Sequence, residues 1–119
     1  GQILSRYHEI SPDAKFFLVT LPHGNRWNEE DEAWARHQGE LMYELAKIFD
    51  NCYVIDLNRY GPAYDAEFRS RFYMGGHMNA MGYLFTAKLM LSYIDWYIRR
   101  FPEDFREVGL IGTPWKHQK

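Results

Sequence analysis

Apolar residues recur along the chain in two rhythms, one of helical period and one of short unbroken runs. Gln2 to Ile10 reads as the end of a helix, and Ser11-Pro12-Asp13 closes it because proline cannot extend the hydrogen-bond ladder. Lys15 to Leu21 is an aromatic and β-branched run (Phe16, Phe17, Leu18, Val19) ending at Pro22, which predicts a strand buried on both faces. After a loop holding His23, Gly24, Asn25 and Trp27, Asn28 is placed as an N-cap. Glu29, Glu30, Asp31 and Glu32 then put negative charge where the helix dipole is positive. Trp34, Leu41, Leu45 and Ile48 follow at helical spacing down to Phe49, an apolar stripe expected to pack on a sheet. Asn51 to Leu57 (Cys52, Tyr53, Val54, Ile55) predicts a second buried strand, so strand, helix and strand fit a right-handed parallel crossover. Asn58 to Pro62 reads as a turn and Ala63 to Phe72 as a short helix that breaks at Gly75-Gly76. Asn79 can cap a last helix whose stripe is Leu84, Ala87, Leu91, Ile94 and Ile98, ending near Phe101 and Pro102. A charged turn from Glu103 to Glu107 and an apolar piece, Val108 to Ile111, complete the pattern. No repeat or linker interrupts it, so residues 1–119 read as one unit.

Composition changes this picture mainly by exclusion. With 46% hydrophobic and 18% aromatic residues in 119, the chain has material for a buried core. A net charge of −2 gives no footprint for a polyanion, so nucleic acid is not an expected partner. Lys88, Asp95, Arg99 and Arg100 interrupt the most apolar segment, which argues against a membrane span, and no signal-peptide pattern is present. The single cysteine, Cys52, lies in an apolar run and reads as a small buried hydrophobe, in keeping with a reducing, cytoplasmic setting. The chain opens on Gly1 and enters a helical pattern at once, so Gly1 is not read as a native start. His8, His37 and His117 lack the spacing of a metal site, and neither metal nor cofactor is expected.

The segment Phe72-Tyr73-Met74-Gly75-Gly76-His77-Met78-Asn79-Ala80-Met81-Gly82-Tyr83 carries the candidate chemistry. It resembles the last motif of the SGNH/GDSL hydrolases, in which an aspartate precedes a histidine by three residues. In that motif a residue, an asparagine and then a glycine-hydrophobic pair follow the histidine and open the final helix. His77, Asn79, Gly82 and Tyr83 match, and the order of elements before them is similar to the C-terminal half of that fold. The resemblance implies the C-terminal part of a three-layer α/β/α domain with a parallel sheet, the flavodoxin-like SGNH hydrolase fold. It also implies a serine esterase in which His77 serves as general base and then general acid. Gly75, Gly76 and Asn79 would shape the loop around that histidine. Small O-acyl esters, including acylated carbohydrates, are the implied substrates.

Two departures limit what this chain can do alone. Met74 stands where the family has its aspartate, and a thioether can neither select the imidazole tautomer nor stabilise the imidazolium. A backbone carbonyl, Asp56 at the end of the second strand, or Asp65 in the short helix are the candidate replacements. None of Ser5, Ser11, Ser70 and Ser92 sits in a Gly-Asp-Ser-like turn after a strand, so the nucleophile is expected outside the chain. His23 and Asn25, in the loop after the first strand, are the candidate substrate-binding residues, with a solvated loop histidine as the alternative for His23. Tyr93, Trp96 and Tyr97 are expected to pack or border the surface. Missing strands would leave apolar faces uncovered, which predicts a homo-oligomer or association with an N-terminal half. The rival reading is a non-catalytic binding module on the same scaffold that has lost its triad.

Overall fold

The computed structural model describes residues 1–62 and 64–106; the expected apolar piece Val108 to Ile111 lies outside them. In chain order the elements are α1 (Gln2–Ile10), β1 (Phe16–Val19), α2 (Glu29–Ile48), β2 (Cys52–Ile55) and α3 (Leu57–Tyr60). These are followed by α4 (Ala66–Phe72), β3 (Tyr73–Met74), β4 (His77–Met78) and α5 (Ala80–Arg100). The result is a mixed α/β structure with two small sheets. β1 and β2 pair in parallel, from Phe16 opposite Cys52 to Val19 opposite Ile55, and β3 pairs antiparallel with β4.

Local chemistry sets the helix ends. Asn28 and Asp31 form a reciprocal capping box at the start of α2, each side chain accepting from the other's backbone amide at 2.9 and 3.0 Å. Asp56, Asp65 and Asn79 cap α3, α4 and α5 in the same manner, each accepting from the amide three residues on. The expected turn at Asn58 to Pro62 is therefore in part the short helix α3, made possible by the Asp56 cap.

The buried faces differ from those the periodicity predicts. β2 is buried throughout and Cys52 within it is a free thiol that burial pushes up, whereas β1 is half-buried along its length, not covered on both faces. Among the described residues each strand has the other as its one strand neighbour, and the difference lies in the helices, since α2 and α5 pack against β2. On α2 three of the four stripe residues face outward, Trp34 at 55%, Leu41 at 45% and Ile48 at 73% exposure, and Leu45 is half-buried, while Ala35 and Gly39 are buried. Small residues bring α2 close, and a Cβ at Gly39 would already touch Thr20 Cγ2 at 3.4 Å.

α5 departs in the same way. Leu84 and Leu91 are exposed, and the residues turned to β2 are Tyr93 and Tyr97. Their hydroxyls donate to Asp56 O at 3.1 Å and Val54 O at 2.7 Å. Asn51 O and Ile55 O are taken by β1, so in a parallel strand Val54 O points to the opposite edge, where Tyr97 satisfies it. The Tyr97 ring then stacks into a cluster with Phe17, Tyr53, Phe101 and Phe105, at centroid separations of 5.0 to 6.3 Å. No helix among the described residues is long and apolar enough to cross a membrane.

Six phenols are held protonated by this packing. Burial is the main cause that pushes Tyr43, Tyr53, Tyr64, Tyr73, Tyr93 and Tyr97 up, Tyr64 and Tyr93 to about 12. A raised phenol leaves stability intact below its unfolded value of about 10, and stability is lost as pH rises through the folded value because the unfolded chain gives up its proton first. Denaturant midpoints should therefore fall between about pH 10 and 12, with tyrosinate absorbance appearing together with unfolding. A midpoint constant across that window would contradict the burial of these rings.

Candidate functional site

The parallel pair ends in two polar residues. Thr20 follows β1 and Asp56 follows β2, both buried, and the Thr20 hydroxyl donates to Asp56 Oδ1 at 3.0 Å. The same carboxylate accepts from Tyr43 OH (3.0 Å) and from the Arg59 amide (2.9 Å), while Thr20 Oγ1 accepts from the Asn58 amide (3.1 Å). Burial and the adjacent Asp56 charge push the Tyr43 phenol up, so it remains a donor to that carboxylate. The network locks the carboxyl end of the strand pair to α2 and α3.

His23 extends it. Its Nδ1 lies 2.6 Å from Glu32 Oε2 and its Nε2 3.0 Å from Asn58 O, and its ring packs against Tyr64 at 5.2 Å between centroids. It is thus a fixed, part-buried ring, not a solvated loop residue. Both ring nitrogens are therefore engaged by oxygens of the protein. Glu32, which with Glu29 to Asp31 places negative charge at the start of α2, also binds this imidazole.

The loop bearing His23 holds the hairpin that bears His77. Tyr73 OH donates to His23 O and the Asn25 amide donates to Gly75 O, both at 2.6 Å. Both ring nitrogens of His23 and the side-chain amide nitrogen of Asn25 are therefore engaged with the protein itself. Gly75, at φ 65°, supplies the positive φ that a two-residue II′ turn requires at its first central position. A Cβ at Gly75 or Gly76 would meet nothing within 4 Å, so backbone conformation, not close approach, explains the glycine at 75.

His77 lies within this hairpin and not on an open loop. It pairs with Met74, so the three-residue interval of the motif becomes a cross-strand pair with the two side chains on one face. Met74 is 74% exposed, His77 is exposed, and the His77 ring has no hydrogen-bond partner among the described residues. Neither Asp56 nor Asp65 bonds to it. Asp56 is occupied by Thr20, Tyr43 and the α3 cap, and Asp65 by the Phe68 amide at 2.8 Å.

Behind the histidine, Asn79 accepts from the Gly82 amide (2.9 Å) and donates to Arg71 O (2.7 Å), joining α4 to α5. Gly82 is buried because any Cβ there would collide with the Phe72 carbonyl and press on Met78. Gly82→Ala should accordingly cost about 1–3 kcal/mol by forcing this junction apart. Thermal melting measures it, and an unchanged midpoint would show that the junction gives freely.

Sequence reasoning missed Thr20, Glu32, Tyr43, Asn58 and Tyr73. For Thr20 the available signal was a polar residue placed immediately after an apolar strand run. No group of three or more His, Cys, Asp or Glu side chains among the described residues could hold a metal ion. Comparison of the chain with protein-family models, with curated proteins and with solved structures finds no match.

Proposed function

We propose that this chain supplies the histidine of an SGNH-type serine ester hydrolase site, with the serine provided by polypeptide outside these 119 residues. The observation that carries the reading is the anchoring of the His77 hairpin. Two hydrogen bonds tie it to the loop leaving the carboxyl end of β1, the edge at which open parallel sheets bind their ligands, and the ring itself is left free. In this mechanism His77 takes the proton of an incoming serine as the hydroxyl attacks an acyl ester. It returns that proton to the departing alcohol, and a water activated the same way clears the acyl group. His23 and Asn25 act by holding the hairpin, and Gly75, Gly76 and Asn79 by fixing its turn and the start of α5.

The half-buried β1 and the outward Trp34, Leu41 and Ile48 support a larger sheet and further covering layers, as the three-layer α/β/α fold would provide, whether from an N-terminal half or from a second copy. Small O-acyl esters, among them acylated carbohydrates, are the proposed substrates. The buried free thiol of Cys52 fits a reducing, cytoplasmic compartment. A second reading, a binding module without catalysis, is favoured by one observation: Met74 occupies the position facing His77 and no carboxylate among the described residues bonds to that ring. The two are separated by hydrolysis of a short acyl ester by the polypeptide that joins this chain to its serine, before and after His77→Ala. Activity that needs His77 supports the enzyme, and activity indifferent to it ends the proposal.

A further inference from the structure

Met74 and His77 flank the Gly75-Gly76 turn and pair across the hairpin with their side chains on one face. Residues directly opposed in an antiparallel pair hold their Cβ atoms about 4.5–5.5 Å apart, so a flexible thioether and an imidazole can close on one ion between them. Both side chains stand in solvent. Met74, at 74%, is the most open of the exposed large apolar residues described, and neither its sulfur nor the His77 ring has a hydrogen-bond partner among the described residues. The hairpin does not need them for its shape, because Asn25 holds Gly75 O, Tyr73 holds His23 O and the positive φ of Gly75 sets the turn. The two donors are thus presented at a fixed backbone separation, which lowers the ordering cost of binding.

The donor set selects the metal. A thioether is a soft ligand that favours Cu(I), and an imidazole serves copper equally well. Zinc asks for four ligands and calcium or magnesium for a shell of oxygens, whereas no carboxylate among the described residues bonds to this ring. Met78, the other thioether of the hairpin, follows His77 in the strand and so lies on the opposite face, where its sulfur accepts from the Thr86 hydroxyl at 3.2 Å. Two donors on one face therefore suit a monovalent closed-shell ion, which is satisfied by two ligands in a near-linear array.

We propose that Met74 Sδ and a ring nitrogen of His77 form a two-coordinate site for a soft monovalent cation, Cu(I), with Ag(I) as its redox-inert analogue. No electron moves; the ring binds as neutral imidazole and releases a proton to solvent where it starts protonated. The site stands apart from the esterase reading, since it uses the imidazole as a ligand and its test has no catalytic readout. Silver nitrate is titrated into the isotope-labelled 119-residue chain in chloride-free buffer, and the methionine methyls and histidine rings are followed by NMR. The Met74 methyl and the His77 ring should shift together and saturate with one ion per chain, while the Met81 methyl, 59% exposed but with no histidine opposite, should not. Met74→Leu and His77→Gln should each weaken binding by about tenfold or more, and both change exposed side chains, so folded spectra are expected. Cu(I), held reduced with ascorbate under anaerobic conditions, should move the same resonances. A folded chain with no saturable shift at Met74 and His77 overturns the proposal. Affinity unchanged in both variants overturns it too, because the ion then sits on the Cys52 thiol or elsewhere, and tighter binding of zinc than of silver overturns the choice of a soft cation.

Discussion

If His77 is the general base proposed, His77→Ala should lower kcat/KM for short acyl esters by about 10²- to 10⁴-fold in a polypeptide that joins this chain to a serine, the range for removal of a general base. The loss should then fall on kcat, because a general base moves a proton in the transition state and contributes little to ground-state binding. Folding should be unaffected. The ring is exposed and bonded to nothing among the described residues, so the substitution belongs to the surface class of about 0.5 kcal/mol, or about 2 °C in melting temperature. A large drop in both activity and melting temperature would mean that His77 is structural.

Met74→Asp sharpens the same experiment. In serine proteases the orienting aspartate contributes about 10⁴ in rate, and Met74 pairs directly across the hairpin from His77. A carboxylate introduced there stands beside the imidazole on the same face and can fix its tautomer, so kcat should rise with little change in KM. A fall or no change in kcat would show that the hairpin orients His77 by other means.

Asp56→Ala carries the largest expected cost in stability. It leaves the Thr20 hydroxyl, the Tyr43 hydroxyl and the Arg59 amide without their shared acceptor and removes the cap of α3. The hydroxyls can rotate toward other acceptors, so the sum of three lost bonds is an upper limit, and about 3 kcal/mol is the expected loss. Against the roughly 5–15 kcal/mol that holds a small domain together, this corresponds to a melting temperature lower by about 10 °C. A loss below about 1 kcal/mol would show that the network is not holding the strand ends.

Asp56→Asn distinguishes this structural role from the alternative in which Asp56 orients His77. The amide preserves shape and one acceptor, so it should lose less stability than alanine. It should also leave the pH profile of any esterase activity unchanged, since no bond joins residue 56 to the imidazole. A profile that shifts in the folded variant would restore Asp56 as a catalytic partner.

Much of the local structure was legible in the sequence. Asn28 and Asn79 announce the starts of the two long helices because a cap bonds an amide three residues away, so its chemistry is contained in the segment. The Ser11-Pro12 stop and the two short apolar runs that became β1 and β2 are local in the same sense. Asp65 reads from the sequence as a residue within the short helix and as one of three candidates to orient His77, because sequence spacing cannot show that the Phe68 amide already claims its carboxylate.

Burial was not legible to the same degree. The search for large apolar residues at helical spacing selected Trp34, Leu41 and Ile48, yet α2 docks through Ala35 and Gly39. A helix can approach a sheet most closely where its side chains are smallest, and hydropathy does not measure that. On α5 Tyr93 and Tyr97 pack as expected, but the sequence does not show that their hydroxyls close strand carbonyls.

The sequence by itself determined the starts of the two long helices, the stop after α1, the two short apolar strands and their strand-helix-strand order, since each depends on groups within a few residues of one another, whereas α3 and the hairpin that sets His77 opposite Met74 are not among its expectations. Only the tertiary structure decided the partners of the polar side chains. Thr20 meets Asp56, His23 meets Asn58, and Asn25 meets Gly75 across 35 to 50 residues of chain. Such pairs form only after β1 and β2 align and the hairpin folds back over the loop, because a hydrogen bond acts over about 3 Å and carries no signal along the intervening sequence.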